Sequence, residues 1–126
     1  MIEVTEDYRR INRVITWKPV FISSEWVYLI ERDNGQDVGV WGFQEYRDGY
    51  RFHAGMGEDC RGKDAIESLK RAIAWMFENT KASVIYALIP DNGKASRATA
   101  VVVIHAGLCY KNKVDGQRLF EVIKNG

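Results

Sequence analysis

Tyr50–Ile66 reads YRFHAGMGEDCRGKDAI, and this stretch decides the fold. Its first residues alternate. Tyr50, Phe52, Ala54 and Met56 are separated by Arg51, His53 and Gly55, the period of a half-buried strand. After Met56 the period changes. From Asp64 to Asn79 the apolar residues Ile66, Leu69, Ile73, Met76 and Phe77 recur at helical spacing, with Ala65 and Ala72 between them. Ser83–Ile89 (SVIYALI) is an apolar run of strand length, closed by Pro90. Strand, helix and strand in that order predict a parallel, right-handed crossover.

Upstream, Trp26–Ile30 is rich in β formers and ends at Asp33-Asn34-Gly35-Gln36, a tight-turn signal. Val38–Tyr46 follows and meets a second turn at Asp48-Gly49. Two tight turns joining three strands predict an antiparallel meander. Before it, Asp7–Trp17 places Tyr8, Ile11, Val14 and Ile15 on one helical face, with Arg9, Arg10 and Arg13 on the others. Pro19 should end or redirect that helix. Downstream, Lys94–Ala106 reads as a helix closed by Gly107, and Gln117–Ile123 as a last strand. The predicted order is helix, three strands, helix, strand, helix, strand. The fold class is α+β, a mixed sheet covered by helices, in one domain spanning residues 1–126.

The chain has 126 residues, 46% of them hydrophobic and 28% charged, with a net charge of +1. That length buries a core without disulfides or a structural metal. Balanced charge gives no global field toward nucleic acid or anionic lipid, so neither is expected as a partner. The longest apolar run, Ala98–Ile104, is far short of the ~20 residues of a membrane span. Met1–Arg10 lacks the apolar stretch of a signal peptide. Cys60 and Cys109 form no disulfide framework, and a reduced cytoplasmic setting suits them. Two cysteines and two histidines without close spacing predict no metal site.

The chemistry concentrates in Gly57-Glu58-Asp59-Cys60-Arg61-Gly62-Lys63-Asp64. Gly57 and Gly62-Lys63 have the spacing of a nucleotide-binding P-loop, but Asp64 stands where that motif needs a magnesium-binding hydroxyl. Glu58 and Asp59 would repel a triphosphate, and the preceding strand belongs to an antiparallel meander. The loop still reads as an anion site. A strand end, a glycine turn and a helix N-terminus offer free amides and a positive dipole end, with Arg61 and Lys63 beside them. The same residues also suit an ordinary strand-to-helix turn. Asp64 with Glu67 three residues later has the form of a capping box. Cys60 lies between Asp59 and Arg61 with no adjacent histidine, and is read as a passive small residue.

Strand, Arg61-Gly62-Lys63, helix, strand, Pro90-Asp91-Asn92, helix and Gly107-Leu108 together resemble the GNAT family of acetyl-CoA-dependent N-acetyltransferases. The resemblance runs from about Trp26 to the C-terminus. In that family the turn reads Arg or Gln, two residues, Gly, one residue, Gly or Ala, and its amides hold the pyrophosphate of coenzyme A. The resemblance implies a pyrophosphate loop of Arg61, Gly62, Lys63, Asp64, Ala65 and Ile66. It also implies a Met56 backbone amide near the pantetheine or acetyl carbonyl, and a cofactor contact from Asn92. Acetyl-CoA is the implied co-substrate.

Three departures from the family pattern stand out. Asp64 replaces the first motif glycine and Ile66 the second small residue. The family often places a tyrosine in the last helix to protonate the leaving thiolate, and Lys94–Ala106 contains none. A water or Tyr110 would have to serve. The attacking amine also needs a base. His53 leads, because a histidine titrates near pH ~6.5 when unperturbed, and Glu45 on the neighbouring strand is second. The His53 position also suits a surface or lightly buried histidine on a β face. His105 precedes a helix C-cap and reads as structural.

The expected function is acetyl transfer from acetyl-CoA to a primary amine, on a small molecule or a protein, by direct attack. The alternative is a GNAT scaffold without turnover, acting as an interaction or assembly module. The Arg-Gly-Lys-Asp turn with a trailing Trp-Met-Phe also resembles GNAT-like proteins encoded by tailed phages, some associated with head assembly. Trp75 lies off the Leu69–Ile73–Met76 stripe. It marks either the margin of the sheet or a contact with a second copy or an assembly partner. Arg9, Arg10, Arg13 and Lys18 read as a solvated basic face, or as part of an acceptor-side helix.

Overall fold

The Asn34-Gly35 pair takes positive φ at both residues (51° and 78°), the geometry that closes a two-residue hairpin with the twist of its strands. It joins β2 (Trp26–Asp33) to β3 (Gln36–Tyr46), and β4 (Gly49–Met56) completes the expected meander. The computed structural model describes residues 1–14, 26–56 and 63–125. Within them α2 (Lys63–Asn79), β5 (Val84–Pro90), α3 (Lys94–His105) and β7 (Gln117–Ile123) stand where their periodicity predicts. The helix expected over 7–17 is α1 (Tyr8–Val14). The Asp7 carboxylate caps it by accepting the Arg9 amide at 3.0 Å. Ile15, Trp17, Lys18 and Pro19 lie outside the described residues.

Two strands correct the predicted order. β1 (Ile2–Thr5) precedes α1, and β6 (Cys109–Val114) stands between α3 and β7. All seven strands form one sheet, in the order β1-β2-β3-β4-β5-β7-β6. Every neighbouring pair is antiparallel except β4 and β5, which are parallel as the crossover requires. The architecture is α+β with a mixed sheet, as expected.

Alternation along the strands sorts the core onto two faces. Leu29, Trp41, Phe43 and Phe52 pack with Leu69, Ala72, Ile73 and Met76 of α2, continuous with Ile85, Ala87, Phe120 and α3's Ala100 and Val103. On the opposite face Tyr28, Ile30 and Val40 receive Ile11 of α1. So α2 and α3 share one face and α1 takes the other. Buried on both sides, Val38–Phe43 of β3 is a continuous apolar run rather than an alternating one.

The end of α3 follows from Gly107, whose φ of 109° turns the chain out of the helix. Its amide donates to the Ile104 carbonyl and that of Leu108 to Val103, both at 3.0 Å. This is a Schellman closure, sealed by two buried side chains, Leu108 and Val103. No described helix is long and apolar enough to cross a membrane.

Candidate active site

The sheet opens in its middle. β4 and β5 pair only at Tyr50–Ile85 and Arg51–Tyr86. Beyond that, Phe52–Met56 stay paired to β3 and Ala87–Pro90 to β7. Among the described residues no ladder bond joins the two facing edges. Parallel strands normally continue their bonds along their length, so this divergence leaves facing backbone amides and carbonyls available to a third chain-like group. Because the strands are parallel, their C-terminal ends lie at the same end of the sheet, and α2 and α3 both begin there.

The closed end is held as tightly as the open end is free. A Cβ on Gly49 would stand 2.0 Å from the Val84 carbonyl oxygen, so only glycine allows β4 and β5 to approach there. Tyr86 donates its hydroxyl to Asp48 beside this contact. Burial, reinforced by Asp48, pushes the phenol up to about 12, so it remains a donor at neutral pH.

His53 lies on the open stretch of β4, opposite Gly42 of β3, on the face that α1 covers. It is exposed, and its ring sits 5.4 Å from that of Trp26, tilted by 45°. Glu45 is three residues along β3 from Gly42 and therefore on the opposite face. It lines a shallow depression of about 280 Å³ at the closed end, with Arg47, Asp48 and Lys81. The structure does not bring the two base candidates together, and only His53 stands beside the opening.

Asp64 is the second residue of α2 rather than its N-cap, and Glu67 pairs forward with Lys70 at 3.5 Å instead of reaching back. The expected capping box is absent because the helix starts one residue earlier. Asp64 lines a polar cavity of about 340 Å³ with Glu31, Arg32, Asp33 and Arg71, on the β2 side of α2. Ala65 is buried and Ile66 half-buried. Arg61, Gly62 and Cys60 lie outside the described residues, and Met56 ends β4. Asn92 is exposed in the β5–α3 connection, at the open end, before Gly93 with a φ of 83°.

A brace behind α2 was not visible in the sequence. Glu31 is 2% exposed on β2. Its carboxylate accepts two bonds from Arg71 of α2, at 2.6 and 2.9 Å, and another from the Met1 nitrogen. Trp41 donates to the hydroxyl of Ser68 of α2 at 2.8 Å. Burial pushes the Glu31 carboxyl up, but the Met1 amine, Arg71 and Ser68 outweigh it and hold the group below its ordinary value. Arg10 likewise departs from the solvated reading. Its guanidinium grips Asp37 through two bonds, at 2.9 and 3.0 Å, and Glu3 at 2.9 Å, tying α1 to the hairpin. Arg9 and Arg13 are exposed.

Tyr110 lies on β6, across β7 from Ala87, and packs edge-on against Phe120. Two strand spacings, about 9.5 Å, separate it from β5. Trp75 is half-buried and packs against the main core. His105 is exposed in the last turn of α3, as its cap position implies.

No protein-family model and no curated protein matches the sequence. Solved structures do match. The N-acetyltransferase PseH of Campylobacter jejuni superposes with a TM-score of 0.76 at 13% identity, over 99% of this chain and 98% of that one. PseH in complex with acetyl coenzyme A gives 0.76 at 12% identity, over 99% and 100%. A spermidine N-acetyltransferase SpeG chimera from Vibrio cholerae and hSSAT gives 0.77 at 12%, over 98% and 96%. Each of these superpositions covers 98% or more of this chain. This chain has the fold of the GNAT acetyltransferases.

Proposed function

We propose that the chain is an N-acetyltransferase that takes the acetyl group of acetyl-CoA and passes it to a primary amine by direct attack. The observation that carries this is the opening between β4 and β5, with the N-termini of α2 and α3 at its mouth. A pantetheine arm is a thin chain of amides, and two unpaired strand edges are its natural partners. The first-turn amides of α2, at Lys63, Asp64 and Ala65, suit a pyrophosphate, with Arg61, Gly62 and Ile66 completing the loop. The Asp64 side chain lines the polar cavity on the β2 side of α2. Met56 offers its backbone at the end of β4, and Asn92 adds an amide side chain at the end of β5.

When bound, acetyl-CoA supplies a thioester whose carbonyl carbon bonds to the amine nitrogen as its carbon–sulfur bond breaks. The chain's own groups manage the protons. α2 and α3 fill one face of the sheet, so the amine reaches the opening from the α1 face, where His53 stands. His53 accepts the proton that the attacking nitrogen must lose. With Tyr110 two strands away and no tyrosine in α3, water returns a proton to the sulfur. Glu45, at the closed end on the other face, has no part in this scheme. The setting is taken to be the cytoplasm, and the acceptor a small molecule or a protein.

Calorimetry with acetyl-CoA tests the reading. Micromolar binding that is lost in Arg61→Ala is expected, together with amine acetylation that falls at least a hundredfold in His53→Ala. The second reading is a scaffold without turnover, serving as an interaction or assembly module, of phage origin if the loop resemblance holds. The first-turn carboxylate and the tyrosine-free α3 favour it. Absence of binding by both the wild type and Asp64→Gly would refute the enzyme and leave that module.

A further inference from the structure

The β2–β3–β4 meander carries an aromatic platform beside His53. Trp26 and Tyr28 lie nearly parallel, 10° apart with ring centroids at 5.8 Å, and both rings lie across Gly42. A Cβ at Gly42 would come within 2.9 Å of Tyr28 and 3.3 Å of Trp26, so the missing side chain is what lets both stacked rings approach the β3 backbone. Tyr28 is buried by the α1 cluster, whereas Trp26 is only half-buried and meets the exposed His53. The platform therefore leads from the opening, at His53 on β4, across β3 to β2.

Resting on the acetyl-transfer reading above, we infer that the acceptor is a primary amine carried on a flat aromatic body, an aralkylamine, with its ring on Trp26 and its nitrogen at His53. The 5.4 Å between the two rings suits a short arm between the acceptor's ring and its nitrogen. Aromatic stacking, and the attraction of an ammonium to an indole face, both favour such a molecule. A polyamine fits this face poorly, because each further ammonium needs a carboxylate. Among the described residues, the carboxylates between α1 and the hairpin, Glu3 and Asp37, are already held by Arg10 and Arg32. On β4 the next residue of this face is Arg51, a cation, bonded to Gln44 and stacked over Tyr46. The structural likeness to a spermidine acetyltransferase therefore does not extend to the acceptor.

The test measures kcat/KM for 2-phenylethylamine, hexylamine and spermidine with the full chain, alongside acetyl-CoA binding by calorimetry. The wild type should prefer phenylethylamine over both others by about tenfold. In Trp26→Leu, which keeps apolar bulk and loses the ring, the phenylethylamine-to-hexylamine ratio should fall to near one, mainly through KM. Acetyl-CoA affinity of the variant reports that it is folded. Should Trp26→Leu fail to fold, Gly42→Ala, which lifts the rings without removing them, should lower the same ratio at least threefold. A wild type that binds acetyl-CoA yet uses spermidine or hexylamine as well as phenylethylamine, or acetylates none of the three, overturns this inference alone. A ratio unchanged in the variants also overturns it. A wild type that does not bind acetyl-CoA overturns the acetyl-transfer reading and this inference with it.

Discussion

Replacing Gly49 with alanine tests the claim that the opening is built by one tight contact at its closed end. The new Cβ would lie 2.0 Å from the Val84 carbonyl oxygen, 2.7 Å from Val84 Cγ1 and 3.0 Å from the Val84 carbonyl carbon. Cβ atoms in proteins essentially never stand closer than 3.0 Å to such neighbours, so the gap is short by about an ångström. Two of the three obstructing atoms are backbone, which no rotamer change can relieve. The β4–β5 pairing comprises only Tyr50–Ile85 and Arg51–Tyr86, both within two residues of the clash. Overpacking of this kind costs about 1–3 kcal/mol, and forcing the strands apart threatens the ladder bonds too, so about 3 kcal/mol is expected. For a chain of this length that corresponds to a fall in Tm of about 11 °C. Urea unfolding followed by tryptophan fluorescence would measure it. Gly42→Ala is the internal control, because its obstructions are side-chain rings able to tilt, and it should cost less than ~1.5 kcal/mol. A Gly49→Ala variant within 0.5 kcal/mol of wild type would show that β4 and β5 are not pinned at Gly49, and the account of the opening would fall with it.

Two further outcomes concern the charged braces. Glu31 and Asp37 are both held below their ordinary values, so the unfolded chain binds more protons at these sites than the folded one as pH falls. Their stabilisation is complete above the ordinary carboxylate range and is lost as pH drops below it. Urea midpoints should therefore decline through that range. Arg71→Ala, which removes two of the bonds that hold Glu31 down, should shrink the part of the decline that Glu31 contributes and cost about 1–2 kcal/mol at neutral pH; a decline as steep as the wild type's would count against the brace. Arg10→Ala should destabilise by about 2 kcal/mol, and a cycle with Asp37→Asn should show a coupling of about 1 kcal/mol, whereas additive losses would mean the grip contributes nothing.

What the sequence disclosed and what it hid follow from the range of the interactions involved. α2 was legible because Leu69, Ile73 and Met76 repeat a local period, and the first hairpin because Asn34-Gly35 is a local conformational demand. β6 was not, because Cys109–Val114 is an exposed edge strand with no face to bury, and a bulge between Tyr110 and Asn112 breaks its alternation. Charged residues such as Lys111 and Lys113, which protect that edge from pairing with another chain, are also what make it read as a loop.

The candidate site divides in the same way. The loop at Gly57–Asp64 announced itself by composition, but the opening is a relation between β4 and β5, and nothing in either strand alone marks where their pairing stops. Glu31 and Arg71 meet across 40 positions of chain, and neither side chain carries a sign of the other. Gly42 is the instructive case. A glycine inside an apolar strand signals that something approaches its backbone closely, and here Trp26 and Tyr28 do. That signal was present in the sequence beside His53, the residue chosen for its chemistry. A glycine directly across the strand pair from a proposed base, under an aromatic platform, says more about the acceptor than the base does, since His53 would serve any amine whereas a flat ring surface selects among them.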